Sequence, residues 1–563
     1  MSNYMLQNGK LSLFEKICYA FGDGAANIAW RGVVFFLMIY YTDVFGLGPA
    51  IVGTLVLVVR LSDGISDVAM GAICDRTNTR WGKFRPWILW TALPLAVILS
   101  MLFTCPNLNM TGKIVYAFST YILFTLIYTA NNIPYGALAA VMTPDDKERT
   151  KLGSFRMVGA FGGGMLVQSL LLFLIAYFGD VNPKVELNTI EPNQKYELVI
   201  TTPTDVNSLS LETEKHFATM ISSDVVYVVK DEEGNPILDA NGQQKTAVDS
   251  VASTSKSFST VANKPYHFTV ESNGETLTTE SFRIVDQSTG YSYAIYLLSF
   301  FLALFLIITF LGTRERVTPP AAQKSDLGQE LKDLIYNKPW ILLVFVALMY
   351  NIYNNTKQGV TLYYFTHYIQ NQLLSAGYMF SLALASVGGA MLTAPLSNRF
   401  GKKNVFIGAL LFSAAVNSMI YFCSADSITS IFVLGTLSEF FAAIFPTLFF
   451  AMLGDVADYS EYVNGRRATG LVYSAGSFAT KFGGGIAGAL IGYVLAFYGY
   501  NGSDPASIAN AVEGIKGLMS WIPAALCVFA AIGMWFYTLD QKQMDVITAE
   551  LQRRRASEGA KAE

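Results

Sequence analysis

Twelve stretches of this chain are apolar for long enough to cross a bilayer, each near or above the ~20 residues a membrane helix needs. They lie near 17–46, 51–74, 86–105, 113–142, 153–178 and 291–312, then near 339–368, 373–395, 403–423, 428–452, 468–498 and 515–538. Composition agrees, since 52% of the 563 residues are hydrophobic and 14% charged, against roughly 25% charged in soluble chains. The expected fold class is an all-α membrane protein of twelve transmembrane helices. A disordered, fibrous or disulfide-built chain is excluded, and the five cysteines form no C-x-x-C pair.

Lys and Arg sort the loops. Arg76, Arg80, Lys83 and Arg85, then Lys147, Arg149 and Lys151, then Arg399, Lys402 and Lys403 fall on alternate connections, so these loops and both termini are expected in the cytoplasm. No cleavable signal peptide is expected, because the first apolar stretch far exceeds a signal core. Gly71 to Arg76 with a following Trp-Gly-Lys-Phe-Arg is echoed by Ala394 to Arg399 with Phe-Gly-Lys-Lys. Such an echo indicates two six-helix halves with a substrate site between them.

One segment departs from this pattern. Positions 179–289 carry 8 Lys/Arg and 17 Asp/Glu, and alternate in period two, as in Lys195 to Thr201 and Asp224 to Lys230. Turn signals at Gly234 to Pro236, Asn241-Gly242 and Asn273-Gly274 punctuate it, and 266–285 reads as a hairpin. The expected organisation is 1–178 for helices 1–5, 179–289 for an extracytoplasmic β-rich insertion and 290–312 for helix 6. A cytoplasmic middle loop at 313–338, helices 7–12 at 339–540 and a tail at 541–563 follow. The insertion reads as a stabilising addition, or as a module for an unknown periplasmic partner or for capturing substrate.

Charge inside a membrane span costs at least ~2.5–3.5 kcal/mol and asks for a partner or a task. Arg60, Asp63 and Asp67 fall within about 60° of one helix face. Two carboxylates a turn apart supply hard oxygens for sodium or a proton, and Ser66 adds a neutral one. The alternative is that Arg60 and one aspartate neutralise each other. Asp23, Asn27, Trp30 and Arg31 form a stripe on the first span; Tyr128, Thr129, Asn131, Asn132 and Tyr135 form one on the fourth. Amides, hydroxyls and aromatic faces suit a polyhydroxylated ligand, or else they join helices. Arg156 and Lys481 add cationic donors, and Lys481 is also placed to compensate the aspartates. The polar run Asn351 to Gly359 reads as an unwound, water-lined segment. Lys357 and Glu439 either pair or line the path. Asp455, Asp458 and Glu461 match the basic Arg149 and Arg467 as a latch between halves or a solvated rim. With three histidines and no nucleophile–base constellation, an enzyme is not expected, nor a cofactor beyond the coupling ion, nor a nucleic-acid partner.

These motifs together resemble the glycoside-pentoside-hexuronide:cation symporters, the melibiose-carrier-like branch of the major facilitator superfamily. The resemblance rests on Tyr40 to Val44, Arg60 to Asp67, Arg80 to Trp87, Asn132 to Leu138, and Asp455, Asp458 and Glu461 leading to Arg467 and Lys481. It implies a major facilitator fold in a bacterial cytoplasmic (inner) membrane and sugar uptake driven by a sodium or proton gradient. It implies a cation at Asp63, Asp67 and Thr129, and sugar contacts from Asn27, Asn132, Arg156 and Lys481. Melibiose-type members are acidic where this chain has Asn27 and Asn132, and carry tryptophan where it has Gly136. The pocket is thereby more cationic, and neutral and acidic glycosides both stay open, because Asp23 is placed to neutralise Arg31. Rival readings are a lipid or drug carrier on the same scaffold and a non-transporting sensor that works through the external segment.

Overall fold

The computed structural model describes residues 10–143, 146–192, 194–213, 219–222, 225–228, 246–249, 257–271, 276–316, 336–464, 469–502, 505–540, 543–551 and 553. The expected turns at 234–236, 241–242 and 273–274, and Arg467, lie outside them.

Helix α1 (Leu13–Gly32) starts on a capping box in which Ser12 Oγ accepts the Glu15 amide and the Glu15 carboxylate accepts the Ser12 amide. It continues through two π-helical turns, Val33–Leu37 and Tyr40–Val44. The N-terminal half then has α2 (Pro49–Arg76), α3 (Arg85–Leu102), α4 (Met110–Met142), α5 (Asp146–Phe178) and α6 (Gln287–Gly312). The C-terminal half has α7 (Lys338–Tyr363), with a π turn at Tyr364–Tyr368, α8 (Leu374–Phe400), α9 (Lys402–Met419) and α10 (Ile428–Ala442). It ends with α11 (Ile444–Asn464), α12 (Thr469–Phe497), α13 (Pro505–Met519) and α14 (Trp521–Trp535).

Side chains mark two ends of the bundle. At the basic end Glu315, after α6, accepts the backbone amides of Lys83, Phe84 and Arg85 at 2.7–2.9 Å, and Arg316 pairs with Glu15. At the opposite end Lys113 binds the Phe45 carbonyl and Ser292 the Phe103 carbonyl. Close helix approach needs small residues: a Cβ on Gly163 would run into the Gly24 carbonyl, which fixes α5 against α1. The halves meet where α2 packs on α12, with Gly53 against Gly488 and Gly492, and where α5 packs on α8.

Two expected spans are broken rather than continuous, and proline is the cause. Pro446 has no N–H for the Ala442 carbonyl, so α10 stops and α11 restarts across Ala443. The orphaned Ala442 carbonyl accepts the Tyr350 hydroxyl at 3.0 Å instead. Pro523 does the same to the Met519 carbonyl, splitting α13 from α14 at Ser520, and Asn417 Nδ2 takes up Met519 O and Ser520 O at 3.1 and 2.9 Å. The opposite correction applies to α7, which is continuous through Asn351 to Gly359. Its amides bond back along their own helix, Asn351 to the Ala347 carbonyl and Asn355 to the Asn351 carbonyl, both at 2.8 Å, so the backbone has no need to unwind.

Between α5 and α6 run the strands β1 (Lys184–Glu191), β2 (Lys195–Thr201), β3 (Val206–Thr213), β4 (Thr219–Ser222), β5 (Val225–Val228), β6 (Thr246–Asp249), β7 (Ser257–Thr260), β8 (Pro265–Glu271) and β9 (Phe282–Asp286). They form antiparallel sheets in the orders β1-β2-β8-β4, β7-β3-β9 and β5-β6. The expected 266–285 hairpin does not form. Tyr266, Phe268 and Val270 align with β2 in one sheet, while β9 pairs with β3 in another, and the alternating apolar faces of the two sheets share one core. β9 leads directly into α6, whose first amides, of Ser288 and Thr289, are capped by Asp286.

Candidate functional site

The four cation-site residues expected from sequence converge where α2 meets α4 and α12. Asp67 accepts the Thr129 hydroxyl at 3.2 Å and pairs with Lys481 of the other half. Ser66 Oγ donates to the Asp63 carbonyl at 3.0 Å and stands 3.5 Å from Thr129 Oγ1. Asp63 is paired with Arg60 of its own helix at 3.2 Å, both side chains about 95% buried, and the Arg60 guanidinium lies 4.1 Å from the Trp30 ring centroid. Each carboxylate thus holds a protein cation, one from within α2 and one from across the seam.

Trp30, one of the expected sugar contacts, adjoins this cluster through Arg60. Trp30 and Tyr128 stack with centroids 5.6 Å apart, as two aromatic faces from α1 and α4. Arg156 pairs with Asp23 at 3.3 Å. Asn27 Nδ2 bonds the Asp23 carbonyl at 3.0 Å, and among the described residues its amide oxygen has no hydrogen-bond partner and half-buried Asn132 makes no hydrogen bond. Arg31 reaches into the C-terminal half and donates to Gln358 Oε1 at 3.2 Å. Two members of the α4 stripe serve packing instead: Asn131 donates to Thr91 at 2.7 Å, and Tyr135 stacks on Tyr19 and donates to its carbonyl at 2.8 Å. Lys357 lies 3.9 Å from Glu439, whose other oxygen accepts Ser386 Oγ at 2.9 Å.

At the basic end Asp455 is held by Lys402 of its own half at 2.7 Å, and Arg149 Nε donates to the Thr143 carbonyl at 3.1 Å. Asp458 and Glu461 follow one and two turns along α11. Glu148, at the foot of α5 and outside its apolar span, binds Lys151 at 2.8 Å and Lys16 at 2.6 Å, which hold its carboxyl down at about 2.

Sequence reasoning missed a cluster at the strand-bearing end. Asp43 accepts Tyr500 OH at 2.7 Å and Thr42 Oγ1 at 2.6 Å and meets His367 Nε2 at 3.0 Å, while Thr42 also meets Tyr363 OH at 2.7 Å. Asp43 and Thr42 belong to one half; Tyr363, His367 and Tyr500 to the other. Asp43 stood in a recognised motif, but nothing in a linear sequence joins it to a histidine so far away. A cavity of about 40 Å³ is lined by Leu37, Tyr41, Val56, Arg60, Asn355 and Gly488, which is room for a few waters.

Among the described residues, eight helical stretches are long and apolar enough to cross a membrane by length and composition.

A family described as MFS/sugar transport protein matches residues 18–220 and 273–541, most of the chain, with the gap falling among the strands. The chain belongs to the MFS/sugar transport protein family. Membership places it among transporters rather than enzymes. It is similar to the putative glycoside/cation symporter YagG of Escherichia coli (strain K12), 28% identical over 98% of this chain and 97% of that one. It is similar to the isoprimeverose transporter of Lactiplantibacillus pentosus, 27% identical over 98% and 93%. Its fold is similar to that of a bacterial homolog of the human lysosomal transporter Spinster, with TM-score 0.59 and 12% identity over 94% and 97% of the two chains. The transporter therefore has a helical major facilitator fold.

Proposed function

We propose that this transporter imports a sugar or glycoside together with sodium or a proton, by alternating access across a bacterial cytoplasmic membrane. The helices make twelve crossings in this reading, α10 with α11 and α13 with α14 each counting as one. The termini and basic end face the cytoplasm, and the strands form an inserted domain outside it. The carrying observation is the Asp67–Lys481 pair, an acid of one half held by an amine of the other beside Thr129 and Ser66.

An entering cation takes the place of Lys481 on Asp67 and is bound by Asp63, Asp67, Ser66 and Thr129. The freed ammonium turns to the substrate, which packs on the aromatic edge formed by Trp30 and Tyr128 with Asn27, Asn132, Arg31 and Arg156 around it. Cation and sugar thereby raise each other's affinity, by about 1–3 kcal/mol as such couplings typically run. The halves then rock. Arg149, Asp455, Asp458, Glu461 and Arg467 act at the cytoplasmic rim as it opens and closes. Relatives named a glycoside/cation symporter and an isoprimeverose transporter support a glycosidic substrate.

The test is uptake of a glycoside panel by vesicles, with sodium and pH gradients imposed separately. Accumulation should follow one gradient and vanish in Asp67→Asn. Accumulation by Asp67→Asn with unaltered ion dependence would refute the assignment.

A further inference from the structure

One buried ion pair has no task in the scheme above. Lys357 of α7 and Glu439 of α10 stand 3.9 Å apart, with 2% and 12% of their side chains exposed, which is too far for a hydrogen bond. Each bonds a hydroxyl instead. Lys357 Nζ donates to Ser438 Oγ at 3.4 Å, and Ser386 Oγ donates to Glu439 at 2.9 Å. A pair so loosely joined keeps little of the attraction that offsets burying its charges.

A third charge enters from the other half. Sequence placed Asp23 as the counterion of Arg31, but the fold gives Asp23 to Arg156. Arg31 instead crosses the seam and donates at 3.2 Å to Gln358, the neighbour of Lys357 on α7. The charge of Glu439 acts on Arg31 as well as on Lys357, so two cations share one carboxylate. The other titratable groups that feel Glu439 are three phenols, Tyr350, Tyr353 and Tyr378, and the Cys527 thiol of α14. On the remaining elements packed against α7, Lys481 of α12 is paired with Asp67, Lys516 of α13 with Glu513, and Asp455 of α11 with Lys402. Asp458 and Glu461 lie out at the basic end. A surplus positive charge in a buried group is costly. Of the two cations only the ammonium can remove it, because a guanidinium keeps its proton.

Resting on the alternating-access reading, we propose that Lys357 is a proton-exchanging site, gated by the approach of Arg31 across the seam. With Arg31 against α7, as here, Lys357 passes a proton to the Glu439 carboxylate, which hands it to water. The N–H bond breaks, its electron pair stays on Nζ, and Glu439 returns to the carboxylate that balances Arg31. When the halves rock and Arg31 withdraws, Glu439 keeps no other cation, and Lys357 takes a proton back. Here the strand-bearing end is shut by Asp43 and His367, so release is toward the basic end and uptake belongs to the opposite conformer. This exchange is separate from cation binding at Asp63 and Asp67.

The test follows the conformer ratio against pH in the purified full-length transporter in lipid nanodiscs, with no substrate added. Nitroxides on cysteines placed at Asn78 and Phe400, exposed at the basic end and one in each half, report by pulsed dipolar spectroscopy which end is open, with the five native cysteines replaced. One linked proton changes a two-state ratio by up to tenfold per pH unit. Between about pH 10 and about pH 6 the short-distance population of the wild type should grow as pH falls. Lys357→Arg keeps the charge but not the exchange, and Arg31→Gln removes the gate. Each should take the same share, up to tenfold per pH unit, out of the slope. Two distance populations with one and the same slope in wild type and Lys357→Arg overturn the proposal and leave alternating access standing. A slope lost in Lys357→Arg but kept in Arg31→Gln overturns the gating by Arg31. A single distance at every pH in all three proteins overturns alternating access, and the linkage with it.

Discussion

Asp43 near the end of the first helix and His367 after α7 face each other at 3.0 Å across the seam between the halves, 324 positions apart in the chain. Tyr500 hydrogen-bonds to both, so the ends of two helices and the connection after α12 share one polar knot at the strand-bearing end. Any state in which that end opens must separate these groups.

Asp43→Asn should therefore favour opening at the strand-bearing end. One charged hydrogen bond is worth about 1.5–3 kcal/mol, on the order of tenfold in a two-state population. The measurement is labelling by a membrane-impermeant maleimide of a cysteine placed at Leu37, which lines the small cavity, with the five native cysteines replaced. Labelling no faster in the Asp43→Asn background would argue against a latch.

Lys481→Gln should raise the apparent affinity for the coupling cation, because Asp67 loses the ammonium that competes for it. The same change should lower gradient-driven accumulation, since the freed amine is the proposed link to the sugar. Cation titrations of uptake read the first effect and steady-state accumulation the second. In thermal melts, Asp67→Asn with Lys481→Gln should be less destabilised than the two single variants added together, by about 1–3 kcal/mol.

Tyr350→Phe should lower stability by about 1–3 kcal/mol, the cost of a buried carbonyl without a donor, because Ala442 O then faces Pro446 with nothing bound to it. Tyr364→Phe is the control: its hydroxyl is buried and has no partner among the described residues, and its loss should be neutral or stabilising. Unfolding midpoints in detergent distinguish the two. Equal shifts would mean that the hydroxyl of Tyr350 does not sustain the helix break.

Glu148 gives a pH signature. Its carboxyl sits at about 2 in the folded protein against an ordinary 4.5, so it binds its proton more weakly folded than unfolded. Its stabilising contribution is complete above pH 4.5 and disappears as pH falls from there to about 2. Glu148→Gln should lower stability at pH 6 and flatten the acid limb of the unfolding midpoint in that window. An acid limb as steep as that of the wild type would place the titration elsewhere.

Much of this was legible in the chain. Apolar length located the helices, and a 3.6-residue period put Asp63 and Asp67 on one face beside Ser66. What sequence could not choose was the partner of each charge. Arg31 lies nearer to Asp23 along the chain than Arg156 does, yet helix packing through Gly163 and Gly159 brings Arg156 to Asp23. Prolines 446 and 523 were visible, but whether a proline merely bends a helix or ends it depends on who feeds the carbonyl it abandons. Tyr350 and Asn417 do so from distant helices. The amides of α7 misled for the reverse reason, since polar side chains that bond their own turn look from composition alone like a break.

The strands begin directly after α5 and end in the cap of α6, with Gly179 and Gly290 pressed against their neighbours at the two junctions. Both roots thus belong to one half, so the strands would travel as a passenger of that half and put no brake on its swing. A binder raised against them would report the tilt of their carrier without arresting the cycle.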